Sequence, residues 1–213
     1  MRLRFRFTLT PLEDVVPWEG HWPHWFGLTD AVYWIEVRGH RLLQPPVDYF
    51  LARLWEDVCL LAPAALEPVP PDLEEFLVAD FDDADHDVPD DDVTAAVGWW
   101  CDHSVDFGYR GDSPHNMWWR TGEEVTLTWS ELDRPPIRET IPVEEFTAAV
   151  TELDRDLIAA MEERISILEA NGTSVTDLRR DHAQRAHSLA ERAARHPATD
   201  WAAVRAGARK LLR

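Results

Sequence analysis

Asp102-His103-Ser104 sets an acid, a base and a hydroxyl in consecutive positions, the residue types of a nucleophilic triad. Adjacency works against that use. The stretch 96–105 reads as a β-strand, on which residues 102 and 104 share one face and residue 103 takes the other, so His103 points away from Ser104. Cys101 and His103 share a face in this reading, about 6.5–7 Å apart between Cα atoms. A thiolate–imidazolium pair there would suit a small hydrolase. Trp99 lies on the same face, so a packed core position with a satisfied histidine is the preferred reading, and no residue is assigned as catalytic.

The acidic stretch Asp80-Phe-Asp-Asp-Ala-Asp-His-Asp87 invites a calcium reading, with Asp83, Asp85 and Asp87 at the first, third and fifth positions of an EF-hand loop. Val88 then stands where the loop requires glycine, and Thr94 where it requires a bidentate glutamate. The stretch is read instead as a solvated acidic loop. His21-Trp-Pro-His24, with His40 further on, lacks the one-turn spacing and the cysteine of a zinc set. No metal and no cofactor is assigned. Arg110-Gly111-Asp112 is a chance match to an adhesion tripeptide, and the chain has no P-loop, GxGxxG, GxSxG or HExxH.

Charge is the most distinctive property of the 213 residues: a formal net of −19, with 40 acidic and 21 basic residues. Residues 1–140 hold 28 acidic and 10 basic residues, and residues 141–213 hold 12 and 11. Between Arg53 and Arg110 there are sixteen Asp or Glu and no Lys or Arg. Such a field repels phosphate backbones, which argues against nucleic acid as a partner and favours a basic protein. Two cysteines, Cys59 and Cys101, both in apolar sequence surroundings, read as buried, reduced thiols. The N-terminus alternates where a signal peptide would be continuously apolar, and no run approaches the ~20 apolar residues of a membrane helix. A cytoplasmic protein is expected.

The elements that must position these groups are legible as patterns. Leu3, Phe5, Phe7 and Leu9 alternate with Arg4, Arg6 and Thr8, the period of a strand. Residues 31–37 and 41–43 read as further strands, Pro45-Pro46 as the end of the sheet, and the stretch from Asp48 as a helix with Phe50, Leu51, Leu54, Trp55, Val58 and Leu61 at helical spacing. Residues 96–105, 116–120 and 124–130 form a predicted three-stranded meander turning at Thr121-Gly122-Glu123. This region carries the adjacent pairs Trp99-Trp100 and Trp118-Trp119, which a strand must split between its two faces. From Pro142 a long amphipathic helix runs to the stop signal Asn171-Gly172. Ser174-Val-Thr-Asp177 reads as a capping box for a second helix, and Thr199 caps a third with Trp201, Val204, Ala208 and Leu211 as its stripe.

In Thr10-Pro11-Leu12, Trp25-Phe26-Gly27-Leu28-Thr29-Asp30, Trp34-Ile35, Asp106-Phe107-Gly108-Tyr109 and Ile141-Pro142, the chain resembles an uncharacterised bacterial family, a domain of unknown function from high-GC genomes. The resemblance covers most of residues 1–170. It implies a cytoplasmic single-domain protein with no assigned activity, and it lends no catalytic residues.

The fold expected is α+β: an antiparallel sheet of five or six strands packed by helices, with a C-terminal helical hairpin plus a short helix. A Trp-rich, strongly acidic sheet region at 1–140 and a helical region at 141–213 are expected to form one unit. The function expected is a non-enzymatic interaction module, in its sharpest form an immunity-type inhibitor, that binds a basic partner through Asp80, Asp82, Asp83, Asp85 and Asp87 with Trp100 and Trp118 as aromatic anchors. The alternative is a small hydrolase acting near Cys101 and His103.

Overall fold

The computed structural model describes residues 3–16, 24–79, 90–107, 114–131 and 134–212. The fold is α+β; among the described residues seven α-helices and six strands occur, and the strands form two three-stranded antiparallel sheets, where the sequence pattern predicted one sheet of five or six. The chain divides into two compact units, Met1–Cys59 with Glu144–Ala194, and Leu60–Val143 with Arg195–Arg213. The boundary between Val143 and Glu144 lies close to the change in composition at residue 140. The other two have no compositional mark.

The first unit opens with the sheet β1 (Leu3–Leu9), β2 (Asp30–Val37) and β3 (His40–Phe50), paired in that order. Arg38 and Gly39 both have positive φ, the geometry of the tight hairpin turn between β2 and β3. Pro45-Pro46 does not end the sheet as expected. β3 pairs only with β2 among the described residues, and an edge strand tolerates prolines because its outer amides have no ladder bond to lose. Helix α1 (Leu51–Leu66) contributes Leu51–Cys59 to this unit. α4 (Val143–Ala170) buries Phe146, Val150, Leu153, Leu157, Met161, Ile165 and Leu168, the predicted stripe. Gly172, at φ +82°, ends it: its N–H reaches Glu169 O and the Thr173 N–H reaches Leu168 O, the paired bonds of a Schellman cap. The predicted second helix is two, α5 (Thr176–Arg185) and α6 (Ser188–Arg195).

Trp55 Nε1 donates to Asp154 Oδ1 at 2.8 Å and ties α1 to α4. The Arg164 guanidinium is buried on α4 and donates to the carbonyls of Leu28 (2.6 Å) and Thr10. A charge nearly withdrawn from water is thereby satisfied by main-chain oxygens.

The second unit holds α2 (Glu74–Leu77), α3 (Asp91–Cys101), the sheet β4 (His115–Thr121), β5 (Glu124–Ser130) and β6 (Ile137–Pro142), and α7 (Trp201–Leu211). The β4–β5 hairpin falls where predicted, with Gly122 at φ +61° in the turn. The third meander strand does not: residues 91–101 are helical. Asp90 caps the helix by accepting from the amides of Asp92 (3.0 Å) and Val93 (3.1 Å), and Asp91 and Asp92 sit at its positive end. Val93, Ala96 and Trp99 recur at helical spacing into a core with Phe76, Leu77, Met117, Trp119, Val204 and Ala208. The third strand of the sheet is instead β6, which pairs with β5 on the edge away from β4. Among the described residues, no helix is long and apolar enough to cross a membrane.

Candidate interaction surface

Each anticipated site residue has a definite place, or lies outside the described part. Asp80, Asp82, Asp83, Asp85 and Asp87 fall outside the described residues. Trp100 is half-buried on α3; its Nε1 donates to Leu77 O at 3.3 Å, and its ring lies 5.7 Å from that of His115. Trp118 is a correction. It is fully buried, with Nε1 donating to Asn116 Oδ1 at 3.0 Å, and cannot anchor a partner. Both faces of β4 are covered, so the pair Trp118-Trp119 splits as the strand period requires, yet both indoles are interior.

Asn116 organises the face that Trp118 occupies. Its Oδ1 accepts from the Val105 amide (3.0 Å) as well as from Trp118, and its Nδ2 donates to Val105 O (2.9 Å) and Pro114 O (3.3 Å). One buried side chain thereby fixes the 103–107 segment against β4. Phe107, edge-on to Trp129 at 5.5 Å, closes the same face.

The Cys101–His103 pairing is likewise overturned. On a helix end, positions two apart point in nearly opposite directions, because each residue turns about 100°. Cys101 is exposed, and His103 is fully buried against the Trp99 ring at 4.4 Å. His103 Nδ1 lies 2.8 Å from Trp99 O, which fixes it as the protonated, donating nitrogen of a neutral ring. Burial pushes the imidazole pKa down to about 4, so the ring stays neutral at physiological pH. Cys59, also buried, has its thiol pushed up to about 12, chiefly by burial and further by the Asp154 carboxylate, and so keeps its proton.

The acidic span is partly neutralised from α7, which residue counting did not reveal. Arg205 grips Asp72 with Nε (2.6 Å) and Nη2 (3.1 Å), the two-pronged geometry of guanidinium and carboxylate. Lys210, the one lysine of the chain, places Nζ 2.7 Å from Asp90 Oδ2 and 2.9 Å from Asp92 Oδ2. These bonds hold the Asp72 and Asp90 carboxyls below the usual carboxylate range, and Asp90 and Asp92 raise Lys210. The available signal was the position of Arg205 and Lys210 beside the buried stripe Val204, Ala208 and Leu211. Glu75 and Asp91 remain exposed and form no ion pair among the described residues. Also among the described residues, no three His, Cys, Asp or Glu side chains are grouped to hold a metal.

The family of unknown function DUF5984 matches residues 4–207, and the chain belongs to it. No curated protein and no solved structure matches the chain.

Proposed function

We propose that this DUF5984 protein is a non-enzymatic interaction module whose acidic second unit binds a basic protein, an immunity-type inhibitor masking a basic active site being the specific form of that role. One observation carries the reading: the segregation of charge between the two units. The second unit has 21 acidic and nine basic residues, a net of −12, against −7 for the first. Arg205 and Lys210 answer Asp72, Asp90 and Asp92, and the excess is left facing solvent at residues such as Glu75 and Asp91. A field of this sign steers a basic partner and speeds association. Trp100 is the one of the two anticipated anchors that keeps part of its surface, and it stands on the helix that Asp90 and Asp91 begin. The hydrolase alternative would need the Cys101 thiol and the His103 imidazole to meet, and the end of α3 turns them apart.

The test begins with a partner isolated by affinity capture. Association rates of the native chain and of a variant with Asp82, Asp83, Asp85 and Asp87 changed to Asn are then compared across a salt series. Exposed charges are screened over about 8 Å at physiological salt, so the native rate falls as salt rises and the variant associates more slowly with a shallower slope. A salt-independent rate that the variant leaves unchanged would refute electrostatic docking.

A further inference from the structure

The first unit contains a groove of about 450 Å³, inside the ~300–1,000 Å³ range of small-molecule sites. Trp55 and Cys59 of α1 form its buried side, and α5 and α6 supply a polar wall. That wall is a helical stripe at 181, 184, 185, 188, 191 and 192, with three- and four-residue steps that persist across the break between the two helices.

The wall has two poles. At one, Arg185 Nη1 donates to Glu56 Oε1 (2.7 Å), its Nε donates to Asp181 Oδ1 (2.9 Å), and its guanidinium lies 4.4 Å from the Trp25 ring centre. Three attachments make it a fixed surface, and two carboxylates on one guanidinium leave an excess negative charge there. At the other pole Arg192 is exposed and forms no ion pair or hydrogen bond among the described residues. Glu191 beside it has an interaction of its own. Seven residues separate Arg185 from Arg192, about 10 Å at helical rise. The Cys59 thiol keeps its proton, so the groove offers a place to bind and no nucleophile.

We propose that this groove binds a short zwitterionic peptide of two or three residues, its ammonium end at Glu56 and Asp181 and its carboxylate on Arg192. An extended tripeptide spans about 10 Å, comparable with the rise between Arg185 and Arg192. A purely anionic ligand would meet the negative pole and a protein of net −19, and a purely cationic one would leave Arg192 without a partner.

Three probes with the same body decide it: triglycine, N-acetyl-triglycine and triglycine amide, titrated calorimetrically into the full chain. Triglycine is expected to bind with a Kd on the order of 1 mM, and each blocked form about tenfold more weakly, since each loses one charge-assisted hydrogen-bond set. Arg192→Gln brings triglycine down to the affinity of the amide and leaves the amide unchanged, while Arg192→Lys retains part of the preference. The thermal melt of both variants matches the native chain, because Arg192 is exposed. No saturable heat up to about 20 mM, equal binding of the three probes, or indifference to Arg192→Gln would each overturn the proposal.

Discussion

At Gly207 α7 packs directly on α3, and replacing that glycine with alanine gives a sharp test of the packing in the second unit. A Cβ built there would lie 2.1 Å from Asp92 O, 2.6 Å from Ala96 Cβ and 2.7 Å from Asp92 C. Two of the three obstacles are backbone atoms and the third is a methyl fixed to its helix, so none can rotate away. To restore ordinary contact, the helices must separate by roughly 1 Å, against a core packed at crystal-like density. Overpacking of this kind costs about 1–3 kcal/mol, and more when backbone must move. Alanine regains about 1 kcal/mol over glycine through helix propensity, which offsets part of that. The shift also displaces Arg205 from Asp72 and Lys210 from Asp90. The expected net loss is about 2 kcal/mol, or about 4–8 °C in Tm for a chain of this length. Gly98 is the internal control: it lies in α3 with nothing within 4 Å of its virtual Cβ. Gly98→Ala should stabilise by up to about 1 kcal/mol. Urea and thermal unfolding followed by tryptophan fluorescence reads both variants. A Gly207→Ala chain that melts within about 1 °C of the native one would refute the close packing of α3 on α7.

A thiol reagent at neutral pH should label exposed Cys101 within minutes and leave Cys59 unmodified until the chain unfolds; two equally fast thiols would contradict the burial of Cys59. Asn116→Ala strips partners from the Val105 amide and the Trp118 indole at once and should cost about 3 kcal/mol in urea unfolding; a loss under about 1 kcal/mol would mean that the segment is held by other bonds. Burial lowers the pKa of His103 to about 4 and also lowers that of His182, so the unfolded chain binds more protons than the folded one as pH falls below about 6.5. The stability contributed by the neutral rings is complete above that pH and declines towards pH 4, with about 2 kcal/mol lost through His103 alone by pH 5. The paired carboxylates lose their contribution only at lower pH. His103→Gln should therefore flatten the dependence of the urea midpoint on pH between 7 and 5, and an unchanged slope would exclude His103 as its source.

The strands and the C-terminal helices were legible because their periods are strong and their stops explicit: the alternation in Leu3–Leu9, the Gly122 turn, the α4 stripe and the Asn171-Gly172 cap. Residues 96–101 misled because VGWWC is rich in strand-favouring residues, and two tryptophans in a row mimic a pleated surface. The decisive signal lay further upstream, in Asp90 with two acids behind it, which is a helix start. Pro45-Pro46 misled in the opposite sense, because sequence cannot tell an edge strand, which accepts proline, from a central one. The side-chain sites were less legible than the elements. Which face Cys101 takes depends on the type of element beneath it, so the wrong element misplaced it, whereas Trp118 sits on the expected strand and is interior because both faces of β4 are covered.

Charge shows the same limit in another form. Counting residues established that the span from Glu56 to Asp106 has no cation of its own, and electroneutrality then demanded either solvent or a distant donor. The count could not say which acids would be answered. Residues 60–143 carry 20 acidic and only four basic residues, and the segment from Arg195 onward brings five more cations and one acid to the same unit. α7 does so through the helix that also closes the core, since Val204, Ala208 and Leu211 are buried while Arg205 and Lys210 flank them. Hydrophobic burial sets the position of α7, and the ion pairs follow from that position, for exposed pairs contribute too little to place a helix by themselves. Away from α7, Arg120, Arg134 and Arg138 reach Glu123, Glu131 and Glu74, and a negative surface persists on this unit because nine cations face 21 acids.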